Sequence, residues 1–396
     1  MSSIPQEQYH RLVRGSVMMT TEAELKKRLS LGRPLRVKLG VDPSSSDLHL
    51  GHTVVLRKLR QFQDEGHQAV LIIGDFTGLV GDPTGRSKTR PQLTPEQVDE
   101  NAKTYIDQVE KVLDISKLEI VRNSQWLKPL TLYQLIQLAS KMTVAHFLER
   151  DDFQKRYRGG VPIGIHEFLY LIMQAYDSVE VKADIELGGT DQTFNLMVGR
   201  DLMRDMGMEP QCAMTMPLLV GTDGKEKMSK SYGNHVGISM EAFEMYSRIL
   251  SLPDDLMKDY YTLLTLLPGD EVDRLCDGEK THPKAAKDRL AREVAAAYYP
   301  REEVDVAAKR WEEKFSQKKV TDVKELTLEE KPVALIPLLR ATGIPKSNGE
   351  ARRLIEQGGV EIDGSRMVDP KVALDLKEGA VLRVGKKRQF FRVTWS

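Results

Sequence analysis

The sequence predicts a doubly wound α/β domain built on a parallel sheet, followed by an all-α domain and a small α+β domain. Short apolar runs alternate with amphipathic helical patterns in the first part of the chain, which is typical of strands joined by crossover helices. The strand pattern fades after residue 237, and short strand patterns return near the C-terminus. We therefore expect domains at residues 1–237, 238–326 and 333–396, the first with an N-terminal helical extension.

The first domain is predicted from its alternation. Two apolar runs, residues 35–41 and 69–73, have glycine at or near their ends, as buried parallel strands often do. Between them, Val55, Leu59 and Phe62 recur at helical spacing and predict a crossover helix. The alternation continues with a helix at 95–113, a strand at 118–121, helices at 131–148 and 166–178, and a strand and a helix within 181–203.

The later domains differ from the first in pattern and charge. From residue 241 to about residue 324 the pattern is helical, rich in charge and punctuated by four prolines. Residues 360–364 and 381–385 are predicted strands of the third domain. Residues 335–396 hold twelve Lys and Arg against seven Asp and Glu, a net charge of +5 in a chain whose 58 basic and 58 acidic residues balance. Any basic surface for a nucleic acid is therefore predicted to be C-terminal.

Composition excludes several classes of protein. Of the 396 residues, 40% are hydrophobic and 29% are charged, which is ordinary for a globular chain. Cys212 and Cys276 are too few and too far apart for a disulfide framework or a zinc ribbon. Residues 1–14 lack the apolar segment of a signal peptide, and no apolar run approaches the roughly 20 residues of a membrane span. We expect a cytoplasmic protein with no resident metal ion, no membrane contact and no DNA partner.

The first motif, His49-Leu50-Gly51-His52, lies where the first predicted strand gives way to its helix. Ligands commonly bind at this edge of an α/β sheet, where helix N-termini attract anions. Gly51 in the first helical turn costs about 1 kcal/mol against alanine, which close approach of a flat ligand to bare backbone would compensate. His49 and His52 share one helix face and can donate hydrogen bonds to phosphate oxygens. A capped helix start with two surface histidines, or a two-histidine metal site, is the alternative.

The second motif is a polar loop that opens on a glycine, directly after the apolar run 216–220. It contains Lys227, Lys230 and Ser231. The two lysines bracket a small hydroxyl residue and can close over a polyphosphate as flexible point charges, whereas the alternative is a lysine-rich surface loop. The glycine-lysine pattern of a P-loop does not occur in the sequence, which excludes that chemistry.

In this order, and separated by one α/β domain, the two motifs resemble the paired signatures of the class I aminoacyl-tRNA synthetases. Within that class the resemblance to the bacterial tyrosyl-tRNA synthetases covers nearly the whole chain. It implies that the protein activates L-tyrosine with Mg²⁺-bound ATP, holds no permanent cofactor, transfers tyrosine to the 3′-terminal ribose of tRNA-Tyr and forms a homodimer. The residues that it implies for ATP binding are Gly40, Asp42, His49, Gly51, His52, Gly189, Asp191, Lys227 and Lys230.

A polar stripe is predicted on the helix near residues 166–178. Tyr170, Gln174 and Asp177 are spaced by four and three residues, beside an apolar stripe, which suits the wall of a pocket. An exposed helix edge is the alternative. The resemblance implies that Tyr170 and Gln174 hold the α-amino group of tyrosine and that Asp177 accepts the phenolic proton. Phenylalanine would leave a buried Asp177 unpaired, so this residue is expected to set specificity.

Two further loops complete the implied site. After the second predicted strand, Asp82 is implied to meet the substrate amine, and Arg86 and Arg90 are implied to meet the pyrophosphate. Without the resemblance, this segment is an ordinary turn with a solvated basic run. Asp191 and Gln192 lie between a strand and a helix; the resemblance puts Asp191 on the ATP ribose and Gln192 near the substrate carboxylate. The alternative is a helix capped by Asp191.

Catalysis is expected to consist of positioning and charge stabilisation. The attacking tyrosine carboxylate is already ionised, so neither a general base nor a covalent protein nucleophile is required. The residues implied to meet the developing phosphate charge are His49, His52, Lys227, Lys230, Ser231, Arg86 and Arg90. We assign no base to the transfer step.

Two positions depart from the family pattern. Lys38 stands two residues before Gly40, where many bacterial tyrosyl enzymes have a tyrosine that helps to bind the substrate hydroxyl. Val55 stands where some relatives place a threonine near the ATP ribose. Asp177 is therefore expected to act with a different helper.

The C-terminal segment resembles a small RNA-binding domain first known from a ribosomal small-subunit protein. On this basis Lys346, Arg352 and Arg353 are expected to lie on a positive helix face that meets the RNA backbone. Ordinary solvated helix charges are the alternative.

Three rival functions are weighed against this interpretation. A tryptophanyl enzyme normally lacks both the C-terminal RNA domain and the polar stripe. A non-catalytic RNA-binding protein built on a retired synthetase would usually have eroded motifs, and these are intact. A small-molecule adenylating ligase would have no use for the basic third domain.

Overall fold

The computed structural model describes residues 6–43, 47–82, 94–317, 323–329, 334–363, 365–372, 374, 376–385 and 389–395. The chain forms two compact units, Met1–Ala307 and Ala308–Ser396.

A six-stranded sheet forms the centre of the first unit. Its strands are β1 (Met18–Met19), β2 (Arg36–Val41), β3 (Gln68–Ile73), β4 (Leu118–Arg122), β5 (Ile185–Gly189) and β6 (Cys212–Met216). They lie in the order β1-β6-β5-β2-β3-β4, and every pairing is parallel except that of β1 with β6. The strand order reverses direction at β2, which is the switch point where such sheets bind ligands. The predicted doubly wound parallel sheet is confirmed.

Helices cover this sheet. They are α1 (Gln6–Val13), α2 (Glu22–Leu29), α3 (Leu50–Asp64), α4 (Thr77–Val80), α5 (Pro95–Val109), α6 (Ser124–Leu127), α7 (Leu132–Ala139), α8 (Val144–Phe147), α9 (Asp151–Arg158), α10 (Ile165–Glu180) and α11 (Thr193–Asp205). The predicted crossover helix is α3, which packs against β2, β3 and β5 and buries Leu59 and Phe62 completely.

Local capping residues explain where several helices begin. Thr94 accepts a hydrogen bond from Gln97 N, with Pro95 at the first helical position of α5. The helix predicted over 131–148 is two helices in the structure, because Thr131 caps α7 and Thr143 caps α8 through their side chains. A second capping threonine inside an apolar run therefore marks a break that periodicity alone did not show.

The helical segment that follows the sheet belongs to the same compact unit. It contains α12 (Ala242–Leu250), α13 (Met257–Leu264), α14 (Gly269–Cys276), α15 (Pro283–Ala295) and α16 (Arg301–Gln317), the last of which runs across the boundary at residue 307. Helix α13 packs against α3, and Tyr260 Oη donates a hydrogen bond to Val220 O at 2.6 Å. Residue 237 is therefore not a boundary between compact units, and the predicted division into domains there stays a prediction.

The second unit is a small α+β structure. Its elements are β7 (Val323–Leu328), α17 (Leu335–Ala341), α18 (Asn348–Glu356), β8 (Val360–Ile362), β9 (Ser365–Met367), β10 (Val381–Val384) and β11 (Gln389–Trp395). The sheet order is β7-β11-β10-β8-β9, and only the pairing of β7 with β11 is parallel among the strands described. The expected boundary at residue 326 falls inside β7, which sequence analysis missed because its partner strand lies at the other end of the unit.

Among the helices in the described part of the chain, none is long and apolar enough to span a membrane.

Candidate active site

Two backbone hydrogen bonds join the chain at the first motif to the segment that follows the second motif. Leu50 N donates to Val236 O at 2.9 Å, and Ile238 N donates to Leu48 O at 3.1 Å. The start of α3 is therefore next to the chain that leaves the loop of residues 221–234, called the Lys227 loop below. The structure brings both motifs to one cleft at the end of β2.

The two histidines of the first motif stack at the N-terminus of α3. Their ring centroids lie 3.8 Å apart, with 28° between the ring planes. His49 N donates a hydrogen bond to His52 Nδ1 at 3.2 Å, so the proton of a neutral His52 ring is assigned to Nε2. His49 Nδ1 is buried and has no hydrogen-bond partner among the described residues. His52 therefore keeps Nε2 for a ligand, whereas His49 Nδ1 is enclosed by protein.

Both imidazoles are neutral at pH 7. Burial, followed by the charge that a protonated His52 would carry, lowers the pKa of His49 to about 2. The His52 ring reaches solvent through the cleft but has protein on most sides; this desolvation, with Lys230 and Lys227 nearby, lowers the pKa of His52 to about 4. Positive charge for a polyphosphate is therefore supplied by the lysines, while the histidines supply neutral N–H donors.

The metal alternative for the histidines has no support from their surroundings. Within the described ranges, no group of three or more His, Cys, Asp and Glu side chains is placed to hold a metal ion.

Two glycines shape the floor of the cleft. Gly40 is exposed directly after three buried residues of β2, and a Cβ there would meet none of the described atoms within 4 Å. At Gly51, a Cβ would lie 3.0 Å from the His49 ring. The sequence suggested that a ligand covers Gly51, whereas the structure places the His49 ring against it. Gly40 is the glycine that leaves the sheet surface open.

The buried side chain of Asn234 holds the Lys227 loop in shape. Its Oδ1 accepts a hydrogen bond from Ser229 N at 2.8 Å, and its Nδ2 donates to Asp223 Oδ2 at 2.9 Å and to Lys227 O at 3.2 Å. A Cβ on Gly221 would lie 2.2 Å from the amide group of Asn234, so only glycine fits there. Sequence analysis missed Asn234, since a polar residue after a polar loop gives no sign that it is buried.

Both lysines of the loop lie against carboxylates from other segments. Lys227 Nζ lies 3.3 Å from Asp191 Oδ2, and Lys230 pairs with Asp47. The side chains in both pairs reach solvent, so each pair contributes little to stability. A polyphosphate can therefore compete for these ammonium groups at low cost.

Asp42 follows β2 and accepts hydrogen bonds from two side chains. Tyr170 Oη donates to Asp42 Oδ2 at 2.9 Å, and Thr77 Oγ1 donates to Asp42 Oδ1 at 2.7 Å. A Cβ on Gly74 would lie 2.1 Å from Asp42 Oδ1, so residue 74 must be glycine. Burial, and then the Asp42 charge, raise the pKa of Tyr170 well above its ordinary value. Tyr170 therefore acts as a neutral hydrogen-bond donor that ties α10 to the end of β2.

Asp177 lies buried on α10 and accepts hydrogen bonds from two residues that follow β4. Trp126 Nε1 donates to Asp177 Oδ1 at 2.8 Å, and Asn123 Nδ2 donates to Oδ2 at 3.3 Å. Asn123 Nδ2 also donates to Thr77 Oγ1 at 3.0 Å, which links Asp177 to Asp42 in one network. Burial raises the pKa of Asp177 to about 7, against the opposing effect of a neighbouring positive charge and of these donors.

Trp126 and Asn123 are thus the hydrogen-bond partners of Asp177 in a chain that has Lys38 at the departing position. Sequence analysis missed both residues, and the one available signal was that they follow a predicted strand at the same edge of the sheet. Lys38 itself is buried in β2, and its Nζ lies 3.0 Å from Glu186 Oε1.

A second network joins three of the predicted tyrosine-binding residues. Asn195 Nδ2 donates to Gln174 Oε1 at 2.8 Å and to Gln192 Oε1 at 2.9 Å. Gln192 Nε2 donates to Asp82 Oδ2 at 2.8 Å. The predicted residues form one connected polar wall, held by the buried Asn195, which sequence analysis also missed.

The remaining predicted residues have varied positions. Ser231 is exposed, and its backbone N donates to Ser229 Oγ at 3.3 Å. Gly189 is the N-cap of the short helical turn after β5, and Gln192 is the N-cap of α11. Asp191 is therefore not the helix cap that the alternative expected. Arg86 and Arg90 lie outside the described residues.

The predicted RNA-binding residues are in the second unit. Lys346 precedes α18, whose start is capped by Ser347, and Arg352 and Arg353 lie on that helix. All three basic side chains are exposed.

Comparison with known proteins identifies two family matches and several long relatives. Residues 30–316 match the family described as tRNA synthetases class I (W and Y), and residues 315–392 match the tyrosine--tRNA ligase SYY-like C-terminal domain. A tyrosine--tRNA ligase of Aquifex aeolicus is 50% identical over 98% of this chain and 99% of its own length. One of Thermotoga maritima is 48% identical, with 98% of each chain covered.

Solved structures show the same fold. A C-terminally truncated mitochondrial tyrosyl-tRNA synthetase of Aspergillus nidulans superposes with a TM-score of 0.65 at 20% identity, over 78% of this chain and 93% of that one. The tyrosyl-tRNA synthetase of Archaeoglobus fulgidus complexed with L-tyrosine gives a TM-score of 0.62 at 21% identity, over 76% of this chain and 98% of that one.

Proposed function

The chain belongs to the class I tRNA synthetases of the tryptophan and tyrosine group, and on this basis we propose that it is a tyrosine--tRNA ligase whose active site is the cleft described above. It activates L-tyrosine with ATP and then transfers the tyrosyl group to the 3′-terminal ribose of tRNA-Tyr. The observation that carries this proposal is the buried Asp177 carboxylate, which shares one hydrogen-bond network with Asp42 at the mouth of the cleft. A phenol matches that acceptor.

The first step is an in-line displacement at the α-phosphate of Mg²⁺-bound ATP. A carboxylate oxygen of tyrosine forms a bond to phosphorus, the bond to the bridging oxygen of pyrophosphate breaks, and tyrosyl-adenylate results. The carboxylate is already ionised, so no protein group has to remove a proton. The protein contributes alignment and stabilisation of the charge that moves onto the phosphates.

The cleft supplies two kinds of group for this charge. His49 and His52 offer neutral N–H donors at the N-terminus of α3, where the helix dipole also favours anions. Lys227 and Lys230 offer positive charge once a polyphosphate displaces Asp191 and Asp47. We propose that Arg86, Arg90 and Ser231 add to this set and that Mg²⁺ enters as part of the substrate.

Tyrosine recognition is proposed for the α10 side of the cleft. Asp177 accepts the hydrogen bond of the phenol, and Tyr170, Gln174 and Asp82 hold the α-amino group. Gln192 lies beside Asp82 and faces the substrate carboxylate. Gly40, Asp42, Gly189 and Asp191 are proposed to line the ATP side, whereas Gly51 contributes by letting the His49 ring pack against the backbone.

In the second step, a ribose hydroxyl of the tRNA terminus attacks the carbonyl carbon of the adenylate, and AMP leaves with the bonding electrons. The hydroxyl proton leaves the attacking oxygen in this step. No residue is assigned as its acceptor.

Amino-acid-dependent exchange of labelled pyrophosphate into ATP tests the proposal. We expect exchange with tyrosine and none above background with phenylalanine or the other amino acids. Tryptophan is the critical control, because its indole N–H could also donate to Asp177. Exchange with tryptophan but not with tyrosine would exclude the assignment.

The Lys227 loop gives a prediction about catalysis. We expect Asn234→Ala to lower the exchange rate constant at least about tenfold, because an amide worth about 1–3 kcal/mol no longer fixes the loop. Gly221→Ala should have a similar effect, since its Cβ would displace Asn234. The matched control is Gly278→Ala, where a Cβ meets none of the described atoms within 4 Å. Equal rates for the Gly221 and Gly278 variants would contradict this role of the loop.

The second unit gives a prediction about tRNA. We propose that Lys346, Arg352 and Arg353 contact RNA backbone. Replacing all three with alanine should raise KM for tRNA about tenfold or more and reduce its salt dependence, with exchange unchanged. Lys324, Lys371 and Lys377, also exposed in this unit, form the control triple. Equal losses for the two triples would mean that the effect is one of net charge alone.

A homodimer is proposed from an exposed apolar surface on helices α7 to α10. Its members are Leu132, Tyr133, Ile136, Val144, Tyr157 and Ile165, each between 57% and 77% exposed. Apolar surface of this kind marks interaction sites in soluble proteins. We expect Leu132→Asp with Ile136→Asp to convert a dimer into a monomer in sedimentation velocity. Leu266→Asp, at an equally exposed leucine elsewhere, should leave the assembly unchanged.

The proposed compartment is the cytoplasm. Cys212 and Cys276 are both free, as is usual for proteins in reducing compartments.

A further inference from the structure

A buried ion pair lies beneath the polar stripe of α10. Lys38 on β2 and Glu186 on β5 are register partners, and Lys38 Nζ lies 3.0 Å from Glu186 Oε1, with side chains 1% and 3% exposed. Glu186 Oε2 also accepts hydrogen bonds from Ser178 Oγ, at 3.3 Å, and from Gln211 Nε2. Ser178 directly follows Asp177, so the pair is anchored to the helical turn that carries the pocket carboxylate.

Stability alone does not account for such a pair. The loss of hydration of two buried ions offsets most of their attraction, and apolar side chains of similar volume are often as good or better at the same place. A charged side chain at Lys38 is not explained by exposure to solvent, because Lys38 lies in the buried central part of β2. Its position next to a buried acid is therefore the feature to explain.

Among the described residues, Lys38 is the positively charged group that acts most strongly on Asp177. The groups that face Asp177 from β2, the loop after β2, the α6 segment and its own helix are Lys38, Asp42, Asn123, Trp126 and Tyr170. Burial raises the pKa of Asp177 to about 7, Lys38 opposes that rise more than any other neighbour, and Asp42 adds to it. A protonated Asp177 would be a weaker acceptor for the phenol than the ionised form.

We propose that Lys38 is a positioning residue for tyrosine recognition: its ammonium group, fixed by Glu186, keeps the Asp177 carboxyl ionised so that it accepts the hydrogen bond of the substrate hydroxyl. This inference rests on the proposed function, in which Asp177 binds that hydroxyl. Lys38 acts through Asp177 and does not touch the substrate. Glu186 serves to hold Lys38 in place and to balance its charge.

The sign of the pH dependence follows from this arrangement. Asp177 is protonated below its pKa and ionised above it, so KM for tyrosine falls as pH rises through about 7 in the native protein. Without the Lys38 charge, the pKa of Asp177 rises further. The fall in KM then occurs at higher pH.

The experiment measures KM for tyrosine in pyrophosphate exchange between about pH 5.5 and about pH 8.5. This interval extends to both sides of the pKa expected for a perturbed carboxyl group. The main variant is Lys38→Met with Glu186→Gln, which removes both charges and keeps both volumes. We expect its midpoint to rise by about one pH unit or more, which raises KM at pH 7 up to about tenfold and leaves kcat at saturating tyrosine little changed.

Two single variants separate charge from structure. Lys38→Arg keeps the positive charge and should keep the native midpoint. Glu186→Gln keeps Lys38 and should not raise the midpoint, even if it lowers the thermal unfolding temperature. A purely structural role predicts losses of stability in all variants with no movement of the midpoint.

The outcomes are distinguishable. Exchange by the native protein with tyrosine tests the proposed function, and its absence would remove that function before Lys38 is considered. With native exchange present, an unchanged midpoint in the double variant overturns the inference. An equal rise in Glu186→Gln or in Lys38→Arg also overturns it, because the charge of Lys38 would then not be the cause.

Discussion

Replacing His49 with alanine is expected to lower kcat for tyrosine-dependent pyrophosphate exchange by a factor of about 10² to 10³, with little change in KM for tyrosine or ATP. The His49 ring stacks on His52 at the N-terminus of α3, and burial keeps the ring neutral. A neutral imidazole N–H at a helix N-terminus can bind a phosphate oxygen most strongly when charge develops on that oxygen. An interaction made mainly in the transition state changes kcat more than KM.

A matched histidine controls for this effect. His10 is exposed on α1, and His10→Ala should exchange at the native rate. Because the His49 ring also packs against Gly51, thermal unfolding of both variants should be compared. A rise in KM for ATP equal to the whole loss of kcat/KM, with kcat unchanged, would show that His49 binds ground-state ATP and does not act on the transition state.

Replacing Asp177 with alanine is expected to abolish most of the preference for tyrosine over phenylalanine. The ratio of the two kcat/KM values should fall about 10- to 100-fold, because the variant lacks the buried carboxylate that phenylalanine leaves unpaired. The change should come from both amino acids, because tyrosine loses its hydrogen bond and phenylalanine no longer leaves a buried carboxylate unpaired. The measurement is exchange with each amino acid in turn.

The control for Asp177 lies on the same helix. Glu180→Ala removes an exposed carboxylate near the end of α10 and should leave the ratio unchanged. Trp126→Phe removes the indole donor to Asp177 while keeping the aromatic ring, and it should lower the ratio by less than Asp177→Ala does. If Asp177→Ala still preferred tyrosine as strongly as the native protein, the specificity would have to come from another group.

The sequence predicted the sheet and the first motif well because both depend on local pattern. A continuous apolar run such as residues 69–73 can only be buried, and all five of its residues are fully buried in β3. A strand that is followed by glycine, polar residues and the start of a helix is specified by a stretch of a dozen or so residues. The polar stripe of Tyr170, Gln174 and Asp177 follows equally from helical spacing; in the structure Tyr170 and Asp177 are buried and Gln174 is partly buried.

The sequence pattern failed where a residue depends on a distant partner. Strand β7 has few buried side chains and is a strand because β11 pairs with it. Asn234 and Asn195 are ordinary polar residues in the sequence, yet each is buried and holds several side chains or loop atoms in place. Hydrogen bonding of a buried amide is a property of the fold and leaves no periodic trace.

By itself, the sequence determined that the first motif lies at the end of the first strand, that the Lys227 loop follows an apolar run, and that α10 presents a polar row; phosphate binding by the first motif stays a prediction. Only the tertiary structure decided that the two motifs meet through Leu48, Leu50, Val236 and Ile238. It also decided that Trp126 and Asn123 are the partners of Asp177, and that Lys38 lies beneath it. Periodicity fixes which way a side chain faces, whereas the partner that it meets is set by the packing of strands and helices far apart in the chain.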